Sequence, residues 1–252
     1  MKAMVLAAGL GTRLRPLTND RPKALVEVAG HTLLEITLTR LRAFGVREVI
    51  VNVHHFADLV VDYLKKNNNF GMRVEISREE VLLDTGGGLK KAGWFFLEGS
   101  GDEPFLLHNV DVISTIDLNR LVQFHRGHDA LVTLAVQHRK TSRYLLFDDQ
   151  NQLCGRQSGS DQPPEIVRPS AHVPSTHTQA LAFSGVHVIS SRFLPLMTEQ
   201  GVFSIIASYL RLAGQGEKIL AFPADDSYWR DLGKPENIAQ AEQDVKQQVL
   251  RL

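Results

Sequence analysis

The chain is short of several things, and each shortage closes a route. Its 252 residues include one cysteine, Cys154. No intrachain disulfide can form, and no Cys/His cluster has the spacing of a zinc site. A reducing compartment is the simple expectation. Cys154 lies in the polar stretch Asn151 to Gly155 with no base beside it, so it reads as an inert structural thiol. An excess of charge is also missing, because 28 Lys+Arg balance 28 Asp+Glu. That balance gives no reason to expect nucleic acid or a membrane surface as a partner. No apolar run approaches the ~20 residues of a membrane span. The stretch from Met1 to Ala8 is apolar for too few residues to be a signal peptide before Gly9 breaks it. No internal repeat is present. A cytoplasmic protein is expected. Hydrophobic residues at 43% and charged residues at 22% are ordinary for a globular enzyme.

What is present alternates. Ala3 to Ala8 is an apolar run ended by glycine, as in a buried parallel strand. Leu34, Leu38 and Leu41 recur at helical spacing, with Gly45 as the stop. Further strands are expected at Glu48 to Val53, Arg73 to Ile76, Phe105 to His108, Ala130 to Val136 and Leu181 to Ile189. Helices are expected at Asp58 to Lys65 with Leu59, Tyr63 and Leu64 inward, from Gly86 through Phe96, and at Leu118 to His125. The tail from Pro235 reads as a helix with Ile238, Ala241, Val245 and Val249 on one face. The polar, Pro/Ser-rich text from about Lys140 to Gln179 reads as a long loop. Strands alternating with helices imply a parallel sheet covered on both faces, with ligands beyond the carboxyl ends of strands. Gly9 and the Asn109-Val110-Asp111 ending are therefore candidate site positions.

The segment from Gly9 to Thr18, followed by Pro22-Lys23-Ala24-Leu25, is the most informative. Glycines after a strand let backbone N–H groups approach a phosphate with no Cβ in the way. Arg13, Arg15 and Lys23 add positive charge to the same loop, which suits a polyphosphate. A dinucleotide fingerprint needs a third small residue where Leu14 stands, and the Gly-Lys-Ser/Thr of a Walker loop does not occur.

The string from Ala7 to Thr18, resumed at Pro22, Lys23 and Leu25, closely resembles the signature of the sugar-phosphate nucleotidyltransferase family. The resemblance runs along nearly the whole chain and implies an α/β three-layer sandwich with a mostly parallel central sheet, a Rossmann-like nucleotidyltransferase fold. It implies that Ala7, Ala8, Gly9, Gly11, Thr12 and Arg13 border the NTP, and that Lys23 steadies the α-phosphate and the sugar phosphate. Leu83-Asp84-Thr85-Gly86-Gly87-Gly88 looks like the family's base-recognition turn, which assigns Thr85, Gly86 and Gly87 to the nucleotide. Read without that likeness, Asp84 or Thr85 caps a helix. Phe183-Ser184-Gly185 resembles the strand whose glycine lies against the sugar, and Asn109 joins Gly185 there; alternatively, Gly185 marks a strand bulge.

The implied reaction joins two anions. A phosphate monoester has its second pKa near ~6 and needs no general base at neutral pH. It needs in-line positioning and cations. Magnesium is usually held by one or two carboxylates plus substrate phosphates. Asp111 and Asp231 resemble the family's two metal ligands, so Mg2+ is the expected cofactor, with Arg13, Lys23 and Asp111 as the catalytic set. Three positions depart from the family: Val110 where glycine is usual, Ala24 for proline and Lys234 for threonine.

Other polar residues weigh less. His54 and His55 are adjacent and cannot share a strand face, so one is expected packed and the other facing solvent or the site, with no metal. Asp148-Asp149 and Asp225-Asp226 read as loop charges without partners. Glu165 and Arg168 either touch the sugar or lie in a solvated loop.

The expected unit is one nucleotidyltransferase domain over 1–252, with a nucleotide-binding half to about 136 and a sugar-binding half, plus the C-terminal helix, from about 137. The expected partners are an NTP and a sugar 1-phosphate. Thr85 to Gly88 and Phe183 to Gly185 look most like the N-acetylmuramate 1-phosphate uridylyltransferase branch, which salvages cell-wall sugar. That favours UTP and an N-acetylated or plain hexose 1-phosphate. Guanylyl transfer to mannose or heptose 1-phosphate is the nearest alternative, and a non-catalytic nucleotide-sugar sensor is a further one. Muramate carries a carboxylate, so its pocket needs a cation, for which Arg143 and Arg168 are the candidates.

Overall fold

In the first strand Ala3 and Val5 point to one apolar layer and Met4 to another. Val49 and Val51 alternate with Ile50 in the same way, and Leu106 with Leu107. A strand with period-two side chains buried on both faces must lie in the middle of a sandwich. The computed structural model describes residues 1–98, 102–159, 162–168 and 178–252.

Strand β1 (Lys2–Leu6) is followed by two short strands, β2 (Glu27–Val28) and β3 (His31–Thr32), and by helix α1 (Leu33–Phe44). Then come β4 (Glu48–Val53), α2 (Ala57–Lys66), β5 (Arg73–Arg78), α3 (Asp84–Ala92), α4 (Trp94–Leu97), β6 (Phe105–Asn109), β7 (Val112–Ser114), α5 (Leu118–Gly127) and β8 (Val132–Gln137). The later part holds β9 (Arg143–Phe147), β10 (Leu153–Ser158), β11 (Glu165–Ile166), β12 (Gln179–Ile189), α6 (Ile205–Gly214), β13 (Ile219–Pro223), β14 (Trp229–Asp231) and α7 (Pro235–Lys246). Helices α1, α2, α5 and α7 cover one face of the sheet, while α3, α4 and α6 cover the other. This is the expected three-layer α/β sandwich.

The large sheet runs β11-β10-β9-β12-β6-β1-β4-β5, with β8 on β12 and β13 on β8. Strands β5, β4, β1 and β6 are parallel, so their carboxyl ends meet at one rim. The register sets Leu6 beside both Asn52 and Asn109. Strand β12 runs antiparallel to β6 and is the joint of the molecule. Its residues 179–182 pair with β9 and 186–189 with β6, while β8 runs along the opposite edge. Strands β9 and β6 thus lie end to end along one edge of β12. The gap between them falls at Phe183 to Gly185, where the β12–β8 register also shifts.

Local signals explain the helix ends. The Thr32 hydroxyl accepts the Glu35 amide at 3.1 Å to cap α1, and Gly45 closes it at φ 104°. Asp117 caps α5 by accepting the Asn119 and Arg120 amides. Pro235 opens α7.

Four expectations change. The segment from about 140 to 179 is not one long loop, because it carries β9, β10 and β11. Asp148 Oδ1 accepts the amides of Gln150 and Gln152 at 3.0 and 2.8 Å, closing a tight hairpin between β9 and β10. Strands β9 and β10 are apolar at their joined ends, Leu145 to Phe147 and Leu153 to Cys154, and polar at their open ends, so neither shows a period. Residues 160, 161 and 169–177 of that segment lie outside the described residues. In α2 the inward residues are Val60 and Leu64, and Leu59 is exposed. Val249 lies beyond the end of α7 and is also exposed. Helix α3 begins at Asp84 with neither Asp84 nor Thr85 capping it, since its N-cap position is Leu83.

Candidate active site

Ala7 and Ala8 are buried beyond β1, and the chain turns outward at Gly9. The Ala7 amide donates to Asn52 Oδ1 at 2.8 Å. Asn52 Nδ2 donates to Glu79 Oε1 at 2.7 Å, and Glu79 Oε2 accepts the Leu83 amide at 2.9 Å. A buried polar chain therefore ties the first loop to the turn before α3. A Cβ at Gly9 would meet nothing within 4 Å, so no protein atom explains this glycine. Gly11 differs: its φ is 64°, and a Cβ there would stand 3.0 Å from Thr18 Cγ2. Thr18 Oγ1 donates to the Gly11 carbonyl at 2.9 Å. Thr12 to Leu14 form one 3-10 turn anchored by the fully buried Leu14, which leaves Thr12 and Arg13 outward.

Lys23 and Asp111 form an ion pair with both side chains mostly buried. Strand β14 pairs antiparallel with β7 so that Asp231 stands opposite Val112. The next amide, Leu232, donates to the Asp111 carbonyl at 2.7 Å. Asp231 Oδ1 accepts the Gly233 amide at 2.7 Å. A Cβ on Gly233 would lie 2.6 Å from an Arg13 guanidinium nitrogen and 2.7 Å from Asp231 Oδ1, so Arg13 and Asp231 press on the same glycine. Arg13, Lys23, Asp111 and Asp231 thus share one corner at the sheet rim. Helix α7 steadies β14, because Asp244 Oδ2 accepts from the Tyr228 hydroxyl at 2.6 Å and from Arg230 at 2.8 Å.

From this corner a cleft of about 770 Å³ opens over the gap between β9 and β6. Arg13, Asn109, Gly185, Trp229 and Asp231 line it, with Arg139, Arg143 and Arg156 on its other walls. Gly185 has φ 74°, and a Cβ there would come 2.9 Å from Val112 and 3.0 Å from Asn109. The register shift beside it meets the bulge reading of this glycine, and the atoms that crowd it are the protein's own. Val110 is buried rather than lining the cleft. The pKa of His108, next to Asn109, is pushed down to about 3 by burial, with the Arg40 charge adding to it, so the imidazole is neutral at pH 7 and its Nδ1–H donates to the Asn109 carbonyl at 2.8 Å.

Other expected residues fall elsewhere. The amides of Gly86 and Gly87 donate to the Phe203 carbonyl at 2.9 and 3.3 Å, and Thr85 Oγ1 accepts the Ile205 amide at 2.9 Å. Thr85, Gly86 and Gly87 do not line the cleft, whereas Ser204 and Ile206, from the segment that they bond, do. Arg168 donates to Gln152 Oε1 at 2.8 Å and is not on the cleft wall, whereas Arg143 is. Glu165 pairs with Arg156 at 2.7 Å. His54 is packed, its Nδ1 2.8 Å from the Glu79 carbonyl, while His55 is exposed against Phe56. Asp225 does have a partner, His138, and Asp226 pairs with Arg120. The Cys154 thiol is buried, with its pKa raised to about 11 by burial first, as befits an inert group.

Arg139 escaped the sequence reading. Its guanidinium lies 3.5 Å from the Trp229 ring centre and donates to the Phe183 carbonyl at 2.5 Å. Burial lowers its pKa, and the Asp231 carboxylate opposes that shift. Asn52 and Glu79 escaped as well. A strand-end asparagine before two histidines was the signal for Asn52, and Glu79 gave none.

Residues 2–151 match the model of the nucleotidyl transferase family. The chain belongs to that family. Its expected class, sugar-1-phosphate nucleotidyltransferase, stands. Among curated relatives, N-acetylmuramate alpha-1-phosphate uridylyltransferase of Caulobacter vibrioides is 36% identical over 93% of this chain and 92% of its own length. A probable mannose-1-phosphate guanylyltransferase of Oryza sativa is 30% identical over 93% of this chain, which spans 62% of that protein. In fold, the crystal structure of HddC from Yersinia pseudotuberculosis complexed with GMP-PN superposes with TM-score 0.74 at 23% identity, covering 97% of this chain and 99% of that one.

Proposed function

We propose that this nucleotidyltransferase moves a nucleotidyl group from UTP to N-acetylmuramate 1-phosphate or another hexose 1-phosphate, releasing pyrophosphate and a UDP-sugar. The observation that carries the reading is the convergence at one rim. Arg13 and Lys23 from the first loop, Asp111 and Asp231 come from three far-apart segments and meet through the Lys23–Asp111 ion pair, the Leu232–Asp111 hydrogen bond and the shared contact at Gly233.

In this account the open backbone at Gly9 admits the triphosphate, with Ala7, Ala8, Gly11 and Thr12 completing the loop and Arg13 gripping phosphate oxygens. Lys23, held at Asp111, carries positive charge to the α-phosphate and the incoming sugar phosphate. Thr85, Gly86 and Gly87 shape the wall for the base through the 203–206 segment. Asn109 and Gly185 floor the sugar site. Residues up to about 136 form the nucleotide half, and those beyond form the sugar half. No helix among the described residues is long and apolar enough to cross a membrane. We place the reaction in the cytoplasm, where nucleoside triphosphates are made.

A divalent ion fits these residues. Among the described residues no three His, Cys, Asp or Glu groups gather as a ready metal cage. Magnesium, however, prefers one or two carboxylates and completes its shell with phosphates and water. Asp111 and Asp231 supply that number, one residue apart across β7 and β14. Bound there, Mg2+ would neutralise charge on the phosphates. The sugar phosphate is already ionised near pH 7 and needs no base from the protein.

Guanylyl transfer to mannose 1-phosphate is the second reading, favoured by the Oryza relative's likeness over 93% of this chain. Pyrophosphate release with magnesium, crossing the four NTPs against N-acetylmuramate, N-acetylglucosamine, glucose, mannose and heptose 1-phosphates, decides between them. Turnover of UTP with an N-acetylated hexose supports the proposal. Turnover of GTP with mannose or heptose alone replaces it, and binding without turnover under every pairing leaves a sensor.

A further inference from the structure

We infer that Arg143 reads a carboxylate on the acceptor, so that the preferred acceptor is an acidic sugar 1-phosphate. The inference rests on the sugar-phosphate reading of the cleft and adds a charge that the reaction itself does not require. Among the described residues four guanidinium groups, those of Arg13, Arg139, Arg143 and Arg156, line the cleft, with Asp231 as its one lining carboxylate.

Three of the four have a local task. Arg13 presses on Gly233 beside Asp231, at the phosphate corner. Arg139 lies over the Trp229 ring and donates to the Phe183 carbonyl. Arg156 is neutralised by Glu165 at 2.7 Å. The Arg143 side chain has no hydrogen bond or ion pair among the described residues, although it is fixed at the start of β9.

The strand register shows what surrounds it. Arg143 stands opposite Ser158 and Leu145 opposite Arg156, while Leu145 pairs with Leu181 on β12. Alternation puts Arg143 and Leu145 on one face, together with Phe183 two residues beyond Leu181. Leu145 and Phe183 both line the cleft. An unpartnered fork thus sits beside an apolar floor, away from the corner that handles phosphates. A planar guanidinium matches a carboxylate in bidentate fashion. A sugar ring bearing an ether-linked lactate or a uronic carboxyl meets both surfaces at once. Arg168, the other guanidinium in this part of the chain, is taken by Gln152 and stands off the cleft wall.

The test compares N-acetylmuramate 1-phosphate with N-acetylglucosamine 1-phosphate, which lacks the lactyl ether and its carboxylate. Two readouts are needed: kcat/KM from pyrophosphate release, and direct binding by calorimetry. Removing one charge-assisted partner predicts that Arg143→Gln cuts the wild-type preference for the acidic acceptor by about 10- to 100-fold, through KM rather than kcat. Arg143→Lys should restore part of the preference, and Arg168→Gln should keep it. If Arg143→Gln lowers both acceptors by the same factor, or leaves the preference intact, the inference is overturned. A wild type that binds both acceptors alike overturns it as well, even if both are turned over. A wild type that turns over neither, yet binds the acidic sugar more tightly in an Arg143-dependent way, upholds the carboxylate site and overturns only the reaction proposed above.

Discussion

The Leu232 amide donates to the Asp111 carbonyl at 2.7 Å, and this bond joins the two acidic segments at the sheet rim. It follows from strand pairing, since Asp231 opposite Val112 puts the next amide in reach of Asp111. The position of one carboxylate is therefore set by the backbone that carries the other. Several measurable consequences come from this and from the contacts around it.

Helix α7 should matter to activity although it is remote from the cleft. Asp244 accepts from Tyr228 and Arg230 and thereby pins β14. Asp244→Asn weakens a charge-assisted pair and is expected to cost about 1–3 kcal/mol of stability. Because β14 carries Asp231, kcat should fall severalfold. A thermal melt and steady-state rates check this. A lower Tm with an unchanged kcat would show that the helix only stabilises.

Gly9 and Gly11 should separate stability from binding. Gly9 has open space where a Cβ would go, so Gly9→Ala should leave unfolding unchanged within about 0.5 kcal/mol. It should nonetheless raise the NTP KM, since the Cβ enters the space assigned to phosphate. Gly11 has φ 64° and a close Thr18, so Gly11→Ala should destabilise by about 1–2 kcal/mol. Denaturant titration beside NTP binding distinguishes the two. Equal effects of both substitutions on stability would refute the assignment.

The buried Asn52–Glu79 link should behave as one unit. Asn52→Ala leaves the Ala7 amide and the Glu79 carboxylate without their partner. The expected loss is about 1–3 kcal/mol per stranded group. NTP affinity should drop as the first loop loosens. A double-mutant cycle with Glu79→Gln should show coupling, and additive effects would mean that the two residues act separately.

Glu199 sets an acid-side stability window. Burial by itself raises its carboxyl, but hydrogen bonds from Arg211 at 2.8 and 3.1 Å prevail and hold the pKa at about 2. The unfolded carboxyl titrates near ~4.3, so the unfolded chain binds the extra proton first as pH falls. The stabilisation is complete above that value and is lost as pH drops toward about 2. It amounts to about 2–3 kcal/mol, so Glu199→Gln should flatten the fall of Tm across that window. The same slope in both proteins would deny Glu199 this role.

Much of the site was legible because its chemistry is local in sequence. The loop from Ala7 to Thr18 sets glycines, a threonine and an arginine at fixed spacing after an apolar strand. Asp111 was visible as the residue just past a buried strand. Leu34, Leu38 and Leu41 announced α1 by period alone. Arg139 was not legible, because its importance comes from the Trp229 ring, which only the β12–β8 pairing and the gap at Phe183 bring near. Glu79 was hidden for a similar reason: one of two adjacent glutamates after a strand reads as surface until Asn52 is seen against it. The β9–β10 hairpin was missed because each strand is apolar at one end and polar at the other, which shows no period, and its Asp148 turn looks like loop text. Gly86 and Gly87 gave the opposite lesson. A Cβ would stand 2.3 Å from the Phe203 ring at Gly86 and 2.5 Å from the Gly201 carbonyl at Gly87, so tight packing of α3 against the 201–205 segment explains the glycines without any ligand.

The most direct test of the shared acidic corner is magnesium-dependent pyrophosphate release by Asp111→Ala and Asp231→Ala, each checked for a native circular dichroism spectrum and assayed at saturating NTP and sugar 1-phosphate. The account predicts that both lose about 100-fold or more in kcat while remaining folded. Either variant turning over at the wild-type rate would contradict it.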